Sequence, residues 1–291
     1  MMFSPTLNVM GTRGQVSPLD SLTLGHQLLQ VFYDIQCQDQ TSVELNSWLG
    51  RQIAIEFTGQ KECVRCQRSI KKTFSRGYCF PCFRSRPETD LCIVKPELCH
   101  YHKGTCRDPG WGENHCMQKH SIYLAYTSQF KVGLTRSQRM TSRWMDQGAA
   151  LAIEIATTNS RLEAGQLEVE LKHLFKDKTQ PKAMLQNPDG SSIGHQDPLV
   201  TELVSQRSRA LAHLSHYPGS WQASSGSIHY LSYPRASGQI GANKLAMSSL
   251  DKTHMISGKL TAIRGQYLVL DHSECFSMRK HAGYLVNISL T

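Results

Sequence analysis

Two pairs of closely spaced cysteines constrain this chain more than any other feature of its sequence. Cys63 and Cys66 form one pair, Cys79 and Cys82 form the other, and twelve residues separate the pairs. Each pair can present two thiolates from a tight turn, and two such turns complete the tetrahedral coordination that Zn²⁺ adopts. The spacing therefore predicts a structural zinc site, in preference to four free thiols or a redox CxxC motif, which would not explain two pairs.

A second, looser group of metal-binding residue types follows. Eight cysteines and histidines fall within the 29 residues from Cys92 to His120, and the four cysteines are separated by six, six and nine residues. We expect a second zinc ion, bound by Cys99, Cys106 and Cys116 with either Cys92 or His120 as the fourth ligand. The alternative is a histidine-rich surface loop with buried free thiols.

The cysteine distribution also predicts a compartment. Eight of the ten cysteines lie between residues 63 and 116, which in a chain of 291 residues indicates metal binding in a reducing compartment. Cys37 and Cys275 stand apart and are predicted to be core residues. No signal-peptide pattern opens the sequence, and no apolar run is as long as a membrane span. We therefore expect a cytoplasmic protein without a membrane partner.

Positive charge is concentrated around the paired cysteines. The net charge of the chain is +9, and the segment from Lys61 to Arg86 alone contains eight basic residues and one acid, Glu62. This charge favours an anionic partner, and we predict nucleic acid, either DNA or RNA. The basic residues assigned to this contact are Arg65, Arg68, Lys71, Lys72 and Arg76. The aromatic residues between them are expected to pack beneath the metal, and the alternative is that they are exposed and stack on bases: Phe74, Tyr78, Phe80 and Phe83.

The pattern of apolar residues predicts an α+β protein. Five consecutive segments are expected: N-terminal strands in 1–60, a zinc-binding segment in 61–120, an α/β module in 121–180, a helical linker in 181–225 and an antiparallel β region in 226–291. Within the module, a hairpin of Ile122–Tyr126 and Lys131–Leu134 is followed by a helix from Thr135 to about Asp146. A buried strand, Ala149–Ala156, and a second helix, Arg161–Phe175, come next.

Charged residues occupy defined positions on these two predicted helices. Arg136, Arg139 and Arg143 would share one face of the first helix, and Arg136 and Arg139 are further candidates for nucleic-acid contact. Glu168 falls on the apolar stripe of the second helix, where a carboxylate requires a cation or a hydrogen-bonding partner. Glu168 is thus either a divalent-metal ligand or a helix-edge residue that reaches water or an arginine.

The segment Ile122–Thr135 resembles the opening hairpin of the GIY-YIG nuclease superfamily, and more closely its KIG variant, because it contains Lys131-Val132-Gly133. The resemblance implies a GIY-YIG-like α/β fold in which Arg143 contacts phosphate and Glu168 holds Mg²⁺. It also implies that Tyr123 or Tyr126 positions the nucleophilic water. Lys131 replaces the expected tyrosine and could act as a base only if burial lowered its pKa markedly.

Over nearly its whole length, the sequence resembles a bacterial family known only as a domain of unknown function. In that family a Cys-Asp-x-Cys stretch has a cysteine where this chain has Thr89, which argues against Cys92 as a ligand. Besides the two cysteine pairs, the matching stretches are Leu45–Gly50, Lys95–His100, Gly104–Pro109, Lys131–Arg136, Arg143–Ala149, Ile263–Leu268 and Met278–Tyr284.

Three hypotheses for function follow from these features. The first is a zinc-stabilised nucleic-acid-binding protein whose GIY-YIG-like domain is not an efficient nuclease. The second is a Mg²⁺-dependent phosphodiesterase that uses Glu168, Arg143 and one of the two tyrosines. The third is a structural adaptor that binds protein through its C-terminal sheet.

Overall fold

A computed structural model of the chain describes residues 6–8, 13–23, 25–36, 42–176, 178–237 and 245–290. Cys37, predicted to be a core residue, lies outside them. The chain divides into two compact units, each assembled from segments far apart in sequence. The first unit contains residues 1–15, 31–84 and 233–291, and the second contains residues 16–30 and 85–232. Both units contain sheet and helix, so the predicted α+β class is confirmed.

The described residues form fifteen strands and seven α-helices. The strands are β1 (Thr6–Asn8), β2 (Arg13–Thr23), β3 (His26–Gln36), β4 (Ser42–Glu44), β5 (Gln52–Lys61), β6 (His120–Tyr126), β7 (Phe130–Arg136), β8 (Leu151–Thr158), β9 (Gln222–Ala223), β10 (Ile228–Ser232), β11 (Ala246–Ser248), β12 (Met255–Arg264), β13 (Tyr267–Leu270), β14 (Glu274–Ser277) and β15 (Tyr284–Leu290). The helices are α1 (Phe80–Ser85), α2 (Leu91–Val94), α3 (Pro109–His115), α4 (Met140–Asp146), α5 (Arg161–Leu171), α6 (Pro181–Gln186) and α7 (Pro198–Leu214). Among these described helices, none combines the length and apolar character needed to cross a membrane.

The first unit is built on a sheet with the strand order β1-β15-β5-β12-β13-β14-β11. All neighbours are antiparallel except β11 and β14, which confirms the predicted antiparallel C-terminal region. Ile53 and Ile55 are both buried on β5, as their alternation in the sequence predicts. Cys275 on β14 is fully buried and is confirmed as a core residue.

The second unit contains the hairpin of β6 and β7, extended by β8 on the other side of β6. Beyond β8 lie β10 and then residues 26–30 of β3, which run parallel to β10. Ile122, Leu124 and Val132 point to one face of this sheet, where they join one buried cluster with Ala164 of α5 and Leu203 of α7. The sheet and these two helices therefore share one hydrophobic core.

Most predicted elements of the module are confirmed, but the helix predicted to start near Thr135 starts later, at Met140, while its end at Asp146 is as predicted. The strand β7 continues through Arg136 because Arg136 still pairs with His120 on β6. A short 3-10 turn, Ser137–Arg139, precedes α4. Arg136, Arg139 and Arg143 therefore lie on a strand, a turn and a helix respectively, and they do not share a helix face.

The cysteine-rich segment before β6 contacts α5 backbone to backbone. A Cβ atom on Gly165 would lie 2.3 Å from the backbone nitrogen of Glu97 and 2.5 Å from the carbonyl carbon of Pro96. At the start of α5, Arg161 donates from its guanidinium to the carbonyl oxygen of Ile93, 2.8 Å away, and from its backbone N–H to that of Cys116, also 2.8 Å away. Residue 165 must therefore be glycine because a Cβ there would collide with the backbone of Pro96 and Glu97. Its backbone conformation does not require glycine.

Substitution of Gly165 by alanine should therefore destabilise the second unit. We expect Gly165→Ala to lower the free energy of unfolding by about 1–3 kcal/mol, because the added methyl group must displace the backbone of Glu97. Urea unfolding monitored by circular dichroism measures this change. Gly194→Ala is the matched control, since a Cβ there meets no atom within 4 Å. Equal stability of the two variants would contradict the contact.

Candidate functional site

The first cysteine cluster (Cys63, Cys66, Cys79 and Cys82) has the geometry of a tetrahedral metal site. Its four sulfur atoms all lie within 4.8 Å of one another. The sulfurs of Cys66 and Cys79 are 3.8 Å apart, and thiolates 2.3 Å from a tetrahedral Zn²⁺ stand about 3.8 Å apart. Cys66 is exposed and the other three are buried. The cluster could therefore hold one metal ion close to the protein surface.

Tight backbone turns bring these sulfurs together. The N–H of Cys79 donates to the sulfur of Cys63 over 3.2 Å, and the N–H of Cys82 donates to the sulfur of Cys79 over 3.5 Å. Gly77, which precedes the second pair, has a φ of +95°, and a Cβ there would lie 2.6 Å from a methyl carbon of Val64. Glycine is required at this turn by both its conformation and its contacts.

The thiols of this cluster differ in their tendency to ionise. Burial opposes ionisation of Cys63, but several backbone N–H groups, including that of Cys79, point at its sulfur and lower its pKa below the usual range. Burial raises the pKa of Cys82, and the neighbouring thiols raise it further. One thiolate therefore forms readily, whereas four thiolates at this spacing require a bound cation to balance their charge.

The second cysteine cluster (Cys92, Cys99, Cys106 and Cys116) surrounds one small cavity in the second unit. Cys92, Cys99 and Cys116 are buried and pack against Trp111, while Cys106 is partly exposed. Cys92 lines this cavity. The sequence analysis argued against Cys92 as a metal ligand because Thr89 replaces a cysteine of the family. The sequence-predicted ligands of a second metal thus meet at one place, with His120 as the exception.

His120 is a buried residue of β6 and is not part of the cavity lining. Its Nδ1 lies 2.7 Å from the carbonyl oxygen of Gln118, and its Nε2 has no hydrogen-bond partner among the described residues. Burial lowers its pKa to about 4, and the cations of Arg161 and Arg136 contribute to the decrease. The ring is therefore neutral near pH 7.

All five basic residues assigned to the paired-cysteine segment are exposed, and Arg84 is exposed beside them. The expectation that every ring packs beneath the metal is wrong for Phe80, which is 51% exposed. Its ring stands 5.2 Å from that of half-buried Phe74 and 5.9 Å from the guanidinium carbon of Arg84. Lys72 reaches within 5.5 Å of the Phe74 ring. Phe80 is therefore an exposed ring beside cations, which was the alternative considered for these aromatic residues.

The Tyr123 cluster (Tyr123, Arg143, Gln147 and Glu168) lies in the second unit. Tyr123 is fully buried, and its hydroxyl accepts a hydrogen bond of 2.6 Å from the side-chain amide of Gln147. Burial raises the pKa of Tyr123; the Glu168 carboxylate adds to the increase, whereas Arg143 and Gln147 oppose it. The structure thus brings together three residues that the sequence selected, together with Gln147, which lies in the matching stretch Arg143–Ala149 but was not selected.

Glycine in the Lys-Val-Gly motif makes room for this tyrosine. Gly133 is the cross-strand partner of Tyr123, and a Cβ on Gly133 would lie 2.6 Å from the Tyr123 hydroxyl oxygen.

Glu168 is 9% exposed and its carboxylate is 3.2 Å from the ammonium nitrogen of Lys172. One of its partners is therefore a lysine one helical turn away, a residue that the sequence analysis did not name.

Three other sequence-predicted residues, Lys131, Tyr126 and Arg136, have different surroundings. Lys131 is buried and donates from its ammonium group to the hydroxyl of Thr179 over 2.9 Å. Tyr126 is partly buried, with its ring 5.2 Å from that of Phe130.

Arg136 is half-buried, and its pKa is lowered by burial and by the neighbouring cations of Arg139 and Arg161. A cationic group at the end of the hairpin therefore includes Arg161, which the sequence did not single out.

The first cysteine cluster can be tested by metal content. We expect purified protein to carry zinc, and Cys79→Ser to lose about one zinc per chain, because three thiolates and a hydroxyl hold the ion far less tightly. Cys275→Ser, at a buried cysteine outside both clusters, is the control and should keep its zinc. Elemental analysis after extensive dialysis measures both. Identical zinc content in the two variants would contradict the assignment.

Comparison with protein families agrees with the whole-chain resemblance. A family model described as protein of unknown function (DUF2797) matches residues 50–286, which include both cysteine clusters and the Tyr123 cluster. Comparison with curated proteins and with solved structures gives no match. Because the family model covers well over half of the chain, this protein belongs to the DUF2797 family.

Proposed function

We propose that this protein binds nucleic acid through a surface held in place by a zinc ion at the first cysteine cluster. The observation that carries the proposal is the set of exposed cations around that cluster, with an exposed phenylalanine among them. These cations are Arg65, Arg68, Lys71, Lys72, Arg76 and Arg84.

The chemistry of this surface suits a polyanion that carries flat bases. Lysine and arginine contact phosphate groups, and binding releases condensed counterions. Phe80 offers a ring face on which a base can stack, as in proteins that bind single strands without strong sequence preference. Arg136 and Arg139, at the end of the hairpin, are proposed as a second phosphate contact. Neither makes an ion pair with a carboxylate among the described residues.

This proposal is tested by removing charge without removing metal. Arg65, Arg68, Lys71 and Lys72 are changed together to glutamine, and binding to single-stranded RNA, tRNA and duplex DNA is measured as a function of salt. We expect affinity to fall at least about tenfold and the salt dependence to become shallower, because up to four phosphate contacts are lost.

The matched control removes the same charge elsewhere. Lys178, Lys182, Lys252 and Lys259 are all exposed, and their combined change to glutamine should leave binding nearly unaltered. Zinc content is measured in both variants to show that the metal site is intact. Equal affinities of the wild type and both variants would contradict the proposal, and no affinity for any nucleic acid would favour the protein-binding adaptor.

A second candidate function, Mg²⁺-dependent phosphodiester cleavage, is supported by the Tyr123 cluster. In the GIY-YIG-like arrangement, Glu168 would hold the metal ion and Arg143 would neutralise charge on the phosphate. Two features weigh against efficient cleavage. The Tyr123 hydroxyl is fully buried and bonded to Gln147, and Glu168 is paired with Lys172. We therefore rank binding above cleavage.

Cleavage is tested with Glu168→Ala and a control on the same helix. Purified protein is incubated with RNA and DNA in Mg²⁺ or Mn²⁺, and the products are separated by electrophoresis. If the wild type cleaves, we expect Glu168→Ala to lose at least about a hundredfold in rate, since the metal ligand is gone. Glu170→Ala, at a carboxylate that is 37% exposed, should keep the rate. Cleavage that survives Glu168→Ala would rule out this assignment.

A further inference from the structure

The second cysteine cluster is assembled from short elements of the segment 85–119 in the second unit. Cys92 lies on α2, and Cys99 directly follows a 3-10 turn. Cys106 lies shortly before α3, and Cys116 directly follows that helix. Isolated helices shorter than about 12 residues are not stable in water. The segment therefore depends on contacts other than its own helical hydrogen bonds.

This segment buries its sulfur atoms and exposes its larger apolar side chains. Three of the four cysteines are at most 7% exposed, and the fourth is partly exposed. Burial of a leucine or valine side chain contributes about 1.5–3 kcal/mol, so a core formed by apolar burial alone would enclose such residues first. Three of them in this segment are instead 46–63% exposed: Leu91, Val94 and Leu98. Apolar burial alone therefore does not explain why the thiols converge.

The four cysteines line a cavity with a volume of about 10 Å³. A space of this size is close to the smallest that holds one water molecule, so it admits a single ion and excludes a larger metal centre. The thiols of Cys99 and Cys116 lie within hydrogen-bonding reach of each other, and Cys116 also interacts electrostatically with Cys106. Cys92 interacts in the same way with Cys99 and Cys116. Each thiol is thus near at least one other at the cavity.

Helix α3 packs tightly against one side of this cavity. A Cβ atom on Gly112 would lie 3.2 Å from the sulfur of Cys106 and 2.7 Å from a ring carbon of Tyr101. Because residue 112 is glycine, the helix can approach both groups. Tyr101 and Trp111 also line the cavity, and their rings restrict the access of water to the thiols.

Two arginines lie beside the thiols. Arg107 is part of the cavity lining. Arg161 of α5 interacts electrostatically with Cys116, and its Nε donates to the carbonyl oxygen of Cys92 over 3.3 Å. A Zn²⁺ ion held by four thiolates carries net negative charge, which neighbouring cations offset.

We propose that a second Zn²⁺ ion binds in this cavity, and that its four ligands are Cys92, Cys99, Cys106 and Cys116. The sequence left the fourth ligand open between Cys92 and His120. The structure favours Cys92, because it lines the cavity and His120 does not. This site is distinct from the first cysteine cluster and does not rest on the proposed function.

The second zinc would take the place of an apolar core in the segment and hold it against α5. The segment contacts α5 closely, because a Cβ on Gly165 would meet the backbone of Glu97 at 2.3 Å and Arg161 binds the carbonyl oxygens of Cys92 and Ile93. Helix α5 carries Glu168. The second zinc thus supports the helix that supplies the carboxylate of the Tyr123 cluster.

His100 is the competing ligand in the cavity wall. Single atoms of Asp90, Cys92 and His100 lie within 4.8 Å of one another. The Nδ1 atom of His100, however, is 2.8 Å from the hydroxyl of Thr105, and its Nε2 is 3.6 Å from the Asp90 carboxylate. That carboxylate is in turn 2.7 Å from the guanidinium of Arg107. We therefore assign Asp90 and His100 to the hydrogen-bonded wall and not to the metal.

The proposal is tested first on the unaltered chain, purified with a thiol reductant. Elemental analysis after extensive dialysis should find about two zinc ions per chain, one for each cysteine cluster. Exchange of the zinc for Co²⁺ should give two ions per chain with the visible absorption of tetrahedral thiolate coordination. These measurements do not depend on the folding of any variant. One zinc per chain, or iron in place of the second zinc, would overturn the proposal.

Variants then identify the ligands. Cys99→Ser and Cys92→Ser should each retain about one of the two zinc ions, because three thiolates hold the ion far less tightly. His102→Ala, at an exposed histidine of the same segment, is the matched control and should retain both. His100→Ala and His120→Gln should also retain both.

Two zinc ions in Cys99→Ser would overturn the proposal, and loss of one zinc in His100→Ala or His120→Gln would overturn its ligand assignment. The double variant Cys79→Ser, Cys99→Ser should contain no zinc, because each substitution removes a different ion. The test of nucleic-acid binding changes no cysteine, so the failure of either proposal can be told from the failure of the other.

Discussion

The meeting of four sulfur atoms at the first cysteine cluster is the constraint on which the surrounding surface depends. The buried group around them contains little carbon besides the partly buried Ile70 and Tyr78. The segment is also joined to the C-terminal strand region, because the N–H of Glu62 donates to the carbonyl oxygen of Gly283 over 2.7 Å. With so small a core, we expect thiolate–metal bonds to supply most of the order, and this order would fix the positions of the exposed cations.

The second unit contains the hairpin of β6 and β7, in which Gly133 leaves space for the side chain of Tyr123. Tyr123 lies across Gly133, where any larger side chain would occupy the position of its hydroxyl. Burial of this hydroxyl is acceptable because Gln147 donates to it. The arrangement places Arg143 and Glu168 near one buried phenol. Burial of Tyr123 also limits the access of water to this cluster.

The sequence predicted those features that depend on local spacing. The paired cysteines, the hairpin and the helix α5 follow from short-range patterns, and all of them are present. The helix predicted from Thr135 starts only at Met140 because cross-strand pairing of Arg136 with His120 outweighs local helix signals. The joining of residues 31–84 with 233–291 in one unit depends on contacts between distant segments. No local pattern carries that information.

X-ray absorption at the zinc edge measures the central feature of this account most directly. If the first cysteine cluster holds the zinc, the spectrum should show a single shell of four sulfur neighbours at about 2.3 Å and no nitrogen or oxygen ligand. Zinc in the second cluster, with Asp90 or His100 as ligands, would add shorter nitrogen or oxygen distances. A mixed shell of that kind, or zinc with fewer than four sulfur neighbours, would contradict the assignment.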